Sequence, residues 1–303
     1  MKIAAFVRYN IFNLIYSYTV EASNDMAFTN WKSLKKIDSH IHILPNEVLA
    51  ANPNSNDVWH YADLKKYLAI AKDFCVEKAV VMPLNDPWLM SMDFTVNAVH
   101  RNLWNIKKEY PDKFYAFADV DVRNTSENTV SEIMRAVDEY GLDGIKIHPS
   151  NTGIAIDDEY NAPIYAFAQR RNIPIAIHSY PDSKNDVCAA KRIVSVSERY
   201  PELKLIVSHM GAFQWKELLP TQCYVDMSAI LPDYVRAYGI AKTNDILRAF
   251  GADRLLFATD YPDNRHLQPE EIYDCYTDIL NQMDFSEEEA VKIAYANAKN
   301  LLG

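Results

Sequence analysis

At 303 residues, with 49% hydrophobic and 24% charged residues, the chain has the make-up of an ordinary globular protein and enough length to bury a large core. Its formal net charge of −10, with no concentrated Lys/Arg run, argues against nucleic acid as a partner. The cysteines Cys75, Cys188, Cys223 and Cys275 are far apart and form no C-x-x-C pair, which argues against a structural zinc knuckle. All are read as reduced, with Cys75 and Cys223 as small buried hydrophobes.

The opening stretch MKIAAFVRYNIFNLIYSYTV is apolar but is interrupted by Arg8, Asn10 and Asn13. It is too short and broken for a membrane span and has no clear small-residue cleavage site. Residues 1–34 are therefore expected to form an N-terminal extension, residues 35–303 one domain, and the protein to be cytoplasmic with no membrane partner.

Strand-like apolar runs follow at roughly 36–42, 78–83, 114–121, 143–148, 173–178, 203–208, 222–227 and 254–259. Helical patterns separate them: 61–75, 94–110, 128–141, 162–171, 186–200, 212–219 and 243–251. After the last strand come two tail helices, 270–283 and 286–303, the second opened by a capping box of Ser286 and Glu289. Alternating strand and helix calls for a parallel sheet. Eight such units predict a (β/α)8 TIM barrel with an N-terminal extension and C-terminal helices. An open doubly wound sheet would be expected to carry a glycine-rich phosphate turn after an early strand, and none is present.

Side chains that can bind a metal cluster at the ends of these runs. His40 and His42 close the first, Lys146 and His148 the fourth, His178 the fifth, His209 the sixth and Asp260 the eighth. In a closed barrel those strand ends form one face, where functional residues gather. Alternation along a strand puts Asp38, His40 and His42 on one side of the first strand, and Lys146 and His148 on one side of the fourth. Any one of these histidines alone would be read as structural. Together they predict a divalent metal, zinc first, with manganese, iron or cobalt as substitutes, and a metal-activated water.

The order H-x-H, Lys, His, His, Asp over strands one, four, five, six and eight resembles the amidohydrolase superfamily. The segments KIDSHIHI, GIKIHP, IPIAIHS, LIVSHMG and LLFATDYP resemble the branch of TIM-barrel metal-dependent hydrolases that also holds the aminocarboxymuconate-semialdehyde and resorcylate decarboxylases. The resemblance implies that His40, His42, His178 and Asp260 hold a single metal. It implies further that Asp260 takes a proton from bound water, and that His209 polarises the substrate or shuttles protons. Lys146 matches a position that is carboxylated in binuclear relatives and bridges a second metal; its other reading is a partner for a substrate carboxylate or for Asp38. His148 is expected to reach the substrate or to orient a ligand.

Arg123, Arg265 and His266 are the candidates to meet a substrate carboxylate, with Asn85 and Asp86 as polar contacts and Trp59, His60 and Trp88 as stacking groups. The stretch from Ile43 to Leu64 contains no Lys or Arg, whereas some decarboxylases of the branch place an arginine there. The first expectation is therefore a hydrolase of an ester, lactone or amide of a small, carboxylated molecule. The alternative is a non-oxidative carboxy-lyase of a small aromatic or unsaturated acid, and a further one is a non-catalytic or metal-free ligand-binding barrel. A homo-oligomer, a dimer first, is expected on general grounds.

Overall fold

The computed structural model describes residues 30–51, 58–84, 96–120, 126–263 and 267–303. Strands β1 (Lys36–Ile41), β2 (Val76–Val81), β3 (Phe114–Asp119), β4 (Gly144–Ile147), β5 (Ile175–Ile177), β6 (Leu205–Val207), β7 (Tyr224–Asp226) and β8 (Leu255–Leu256) are parallel, each paired with the next. Residues beyond β8 bring the chain back to β1. Ser39 donates its N–H to Phe257 O (2.9 Å), Asp260 to His40 O (2.9 Å) and His42 to Tyr261 O (2.8 Å). The sheet thus closes into the expected (β/α)8 barrel.

Its side chains sort into two layers. Ile37, Val80, Met82, Phe117, Ala176, Ile206 and Leu256 form one buried cluster that fills the barrel with Ala298 and Leu301. Alternating neighbours such as Ala116, Ile145, Ile147, Ile175, Ile177, Leu205 and Val225 join the larger core beneath the helices. One interior position admits only glycine: a Cβ on Gly144 would lie 2.6 Å from the Phe117 ring.

Alternation fails at one place that matters. Between Asp38 and Ile41 the register of β1 against β2 slips: three steps along β1 face two steps from Ala79 to Val81. This bulge sends Asp38 away from the histidines. Its carboxylate accepts from Thr259 Oγ1 (2.6 Å) and Tyr273 OH (2.6 Å), whereas His40 is held by groups of the barrel interior. The expected shared face of Asp38, His40 and His42 is therefore corrected, and Asp38 is not the partner of Lys146.

The helices follow the predicted alternation with two departures. The segment read as a helix over 212–219 is helical as 3₁₀ turns within Ser208–Leu218, but it is preceded by a left-handed stretch in which His209, Met210, Gly211 and Ala212 all have positive φ. The helix expected at 243–251 begins much earlier, at Ile230, and kinks at Gly239, φ 76°. The Ser286–Glu289 capping box is present. Cys188 and Cys223 are buried, but Cys75 is exposed beyond the end of its helix, contrary to expectation, and all the cysteines are free. No helix among the described residues is long and apolar enough to cross a membrane. Of the extension 1–34, residues 1–29 lie outside the described residues.

His100 fixes the end of β3 from the helix Val96–Glu109, its Nε2 accepting the Asp119 N–H at 2.8 Å. Burial pushes this imidazole from 6.5 down to about 4. The folded state then binds fewer protons than the unfolded one between those values, so the contribution is complete above pH 6.5 and is lost as pH falls toward 4. His100 is expected to remove about 3 kcal/mol over that range, and His100→Gln to flatten the loss, in urea unfolding at pH 7 and pH 4.5. Gly144→Ala is expected to cost about 1–3 kcal/mol in the same measurement, because the Phe117 ring must move.

Candidate metal centre

The strand ends converge. Among the described residues, His40, His42 and Asp260 form a group whose donor atoms all lie within 4.8 Å of one another. Asp260 Oδ1 is 3.2 Å from His40 Nε2 and 3.3 Å from His42 Nε2. Asp260 adopts positive φ, 64°, a conformation that Asp tolerates better than most residues.

The outer nitrogens of the two rings determine what the inner ones offer. His42 Nδ1 lies 3.2 Å from Met82 O, which can only accept, so Nδ1 carries a proton and Nε2 is the nitrogen left to offer a lone pair to a cation. His40 Nδ1 lies 3.2 Å from Asp226 Oδ2. Burial pushes His40 down to about 4, so it is neutral near pH 7. Burial acting alone would raise the Asp260 carboxyl, but His40, His42 and His209 hold it well below the usual carboxylate range.

Lone pairs and a carboxylate facing one another repel unless positive charge lies among them. Lys146 supplies some, with Nζ 3.3 Å from His40 Nε2 and 3.2 Å from Ser208 Oγ. Burial lowers this ammonium to about 8 against the pull of Asp226 and Asp260. The donors themselves fit a divalent cation. Two ligands each about 2.0–2.1 Å from a tetrahedral ion stand about 3.3 Å apart, close to the separations seen here, and imidazole with carboxylate suits zinc, manganese, iron or cobalt.

His178 and His209 form an adjoining pair, His209 Nε2 lying 3.0 Å from His178 Nδ1. His178 is thus beside the group of three and not within it. His209 Nδ1 donates to Ser228 O at 2.9 Å, and its backbone N–H to Asp226 Oδ1 at 3.0 Å. The second bond holds the left-handed turn that follows β6. His148 lies flat on His178, ring centroids 3.8 Å apart, and its Nδ1 accepts from Asn151 N at the start of the short helix Pro149–Thr152.

Trp59 stands edge-on to His42 and Tyr180 edge-on to His209, each at 6.0 Å. Arg123, Arg265 and His266, with Asn85, Asp86 and Trp88, lie outside the described residues. Asp226 and Ser228, which touch both His40 and His209, were not anticipated from the sequence. The signal was available, since the run CYVD also ends in a carboxylate at a strand end.

A closed (β/α)8 barrel with an imidazole–carboxylate cluster at the carboxyl ends of its strands defines a class of metal-site barrel enzymes. Within that class the chain belongs to the amidohydrolase family, whose sequence model matches residues 37–303. A gamma-resorcylate decarboxylase from a Rhizobium species is 22% identical over 239 residues, covering 63% of this chain and 70% of the relative. A dihydroorotase from Idiomarina loihiensis is 29% identical over 98 residues, a match that spans only 28% of either chain. A 5-carboxyvanillate decarboxylase from Novosphingobium aromaticivorans, solved with manganese and a nitrobenzoic acid, superposes with a TM-score of 0.67 at 17% identity over 93% of this chain and 99% of its own. At that identity the likeness is one of fold.

The geometry predicts which side chains hold metal. His42→Ala and Asp260→Ala should each lower bound metal well below one equivalent per chain by elemental analysis, whereas Trp59→Ala should leave it unchanged. Full occupancy in both of the first two variants would remove the site from these residues.

Proposed function

We propose that the protein is a metal-dependent carboxy-lyase that removes CO2 from a small aromatic or unsaturated acid. The observation that carries this reading is the set of rings packed on the donor imidazoles: Trp59 stands edge-on to His42, Tyr180 edge-on to His209, and His148 and His178 stack flat on one another. Aromatic groups of this kind suit a planar ring. The match to a gamma-resorcylate decarboxylase over most of its length gives the same reading further support, and moves the emphasis from the hydrolase expected first to the carboxy-lyase.

In this reading His40, His42 and Asp260 hold one divalent cation, with His178 as the next imidazole to hand. When bound, the cation would anchor the oxygens of the acid and offset negative charge that develops on them. The residues around it do the rest. Lys146 adds a positive charge at the His40 corner, and the buried setting keeps water from competing for the carboxylate. Because Ile43–Leu64 lacks Lys and Arg, the carboxylate must be met by these groups or by Arg123, Arg265 and His266.

The reaction needs one proton delivered to the ring carbon that bears the carboxylate. The π electrons form the new C–H bond at that carbon, the C–C bond then breaks, its electron pair restores the π system, and CO2 leaves. Each turnover consumes one proton. His209 is the group assigned to deliver it. Its ring is anchored at Nδ1 by Ser228 O; burial lowers its pKa below the ordinary imidazole value, and Asp260 and Asp226 offset that only in part. Asp260 is the second proton-transfer group.

The test is CO2 release from hydroxylated benzoates by zinc- or manganese-loaded protein, together with carboxylation of the matching phenols in bicarbonate. Turnover in both directions is expected. Hydrolysis of lactones or amides with no CO2 from any acid would instead establish the hydrolase. His209→Asn should retain the metal and lower kcat by about 10²–10⁴-fold.

A further inference from the structure

The end of β7 offers no group to the reacting atoms, yet two of the site imidazoles lean on it. Asp226 is fully buried, and both of its carboxylate oxygens are occupied by donors. Oδ1 accepts the backbone N–H of His209 (3.0 Å), the backbone N–H of Ser228 (3.2 Å) and the Ser228 hydroxyl. Oδ2 faces His40 Nδ1 at 3.2 Å. Because the Ser228 proton goes to Asp226, the serine oxygen is left as an acceptor toward His40 Nδ1 (3.2 Å) and His209 Nδ1 (2.9 Å). Everything around His40 Nδ1 therefore accepts.

We propose that Asp226 is a positioning residue that fixes His40 in its Nδ1–H tautomer and so keeps His40 Nε2 available as a lone pair for the divalent cation. The proposal rests on the reading of His40, His42 and Asp260 as the metal site. It goes beyond that reading by assigning the ligand's chemical state to a residue at the end of β7, two strands from β1 around the barrel.

The hydrogen bonds make the role separable from simple packing. Asp226→Asn keeps the shape but replaces one oxygen by NH2. The two backbone N–H groups at Oδ1 cannot change character, so the amide oxygen must face them and the NH2 must face His40. A donor opposite Nδ1 favours acceptance at that nitrogen and moves the ring proton to Nε2, toward Asp260, against the opposing Lys146 ammonium at Nε2 and the Ser228 oxygen at Nδ1. The lone pair that a cation needs is then gone. His209 is spared, because its own Nδ1 still donates to the Ser228 carbonyl.

The experiment reads the tautomer directly, by the imidazole ¹⁵N shifts of the metal-free full-length chain, with the His40 signals assigned by their loss in His40→Ala. Nδ1–H in the wild type, Nε2–H in Asp226→Asn, and a zinc dissociation constant raised about 10–100-fold in the variant are the expected results. Nε2–H in the wild type would overturn the proposal without any variant, as would an unchanged tautomer in a folded Asp226→Asn. If the tautomer switches and zinc binding does not weaken, the link from tautomer to metal is overturned; undiminished zinc binding by His40→Ala would show that the metal-site reading itself is what failed.

Discussion

The backbone ladder that closes the barrel is the constraint on which the site depends. Asp260 lies some 220 positions along the chain from His40, yet its N–H bonds to the His40 carbonyl, and the next bond of the ladder ties His42 to Tyr261. The main chain therefore sets the spacing of the His40, His42 and Asp260 donors before any side chain chooses a rotamer. Closure also gives every strand two neighbours, so no edge is left at the point where the donors meet. A shift of β8 by one residue would turn Asp260 out of the site and bring Thr259 or Tyr261 to its position.

Within that frame, environment gives similar side chains different states. Asp38 and Asp226 are both buried carboxyls at or near strand ends. Asp38 has hydroxyls and backbone N–H groups around it and no cation, and burial raises it to about 7. For Asp226 burial works in the same direction, but His40, His209 and Lys146 more than offset it and hold the carboxyl well below the usual range. The bulge in β1 is what keeps these environments apart. Without it, Asp38 would enter the barrel beside His40 and place another negative charge against Asp260.

Much of this was legible in the sequence because the physics is local and repetitive. Each barrel strand is short and apolar, buried on both faces, and ends where polar chemistry begins, so runs such as IPIAIH and RLLFATD mark both a strand and a site residue. His40, His42, His178, His209 and Asp260 were located in this way. What escaped depends on non-local or backbone terms. A bulge leaves no trace in alternation until the neighbouring strand is known, which is why Asp38 was grouped with the histidines. The left-handed turn that precedes the helical segment 212–219 has no such mark either: hydrogen bonding to Asp226 holds His209 in a conformation that few non-glycine residues adopt. The helix from Ile230 was missed because Pro232 and Gly239 punctuate its first half, although a proline is harmless in a first turn. Asp226 was passed over because a lone aspartate carries little weight without the histidines it serves.

The same bonds connect the fold to the chemistry. His209 needs a costly backbone conformation to aim its ring, and the carboxylate that anchors that backbone also faces the outer nitrogen of His40. One buried charge thus stabilises a strained turn and sets the hydrogen bonding of a metal-facing ring. An apolar residue in its place would leave two backbone N–H groups unsatisfied in the core, at a cost of about 1–3 kcal/mol each, and would release His40 to either tautomer. The Lys146 ammonium and the hydrogen bonds from His40, Ser228 and the His209 backbone offset the desolvation of Asp226, which is the condition for a buried carboxylate to be tolerated. A single strand end thus reaches both His40 and His209, the two rings to which the proposed reaction assigns metal binding and proton delivery.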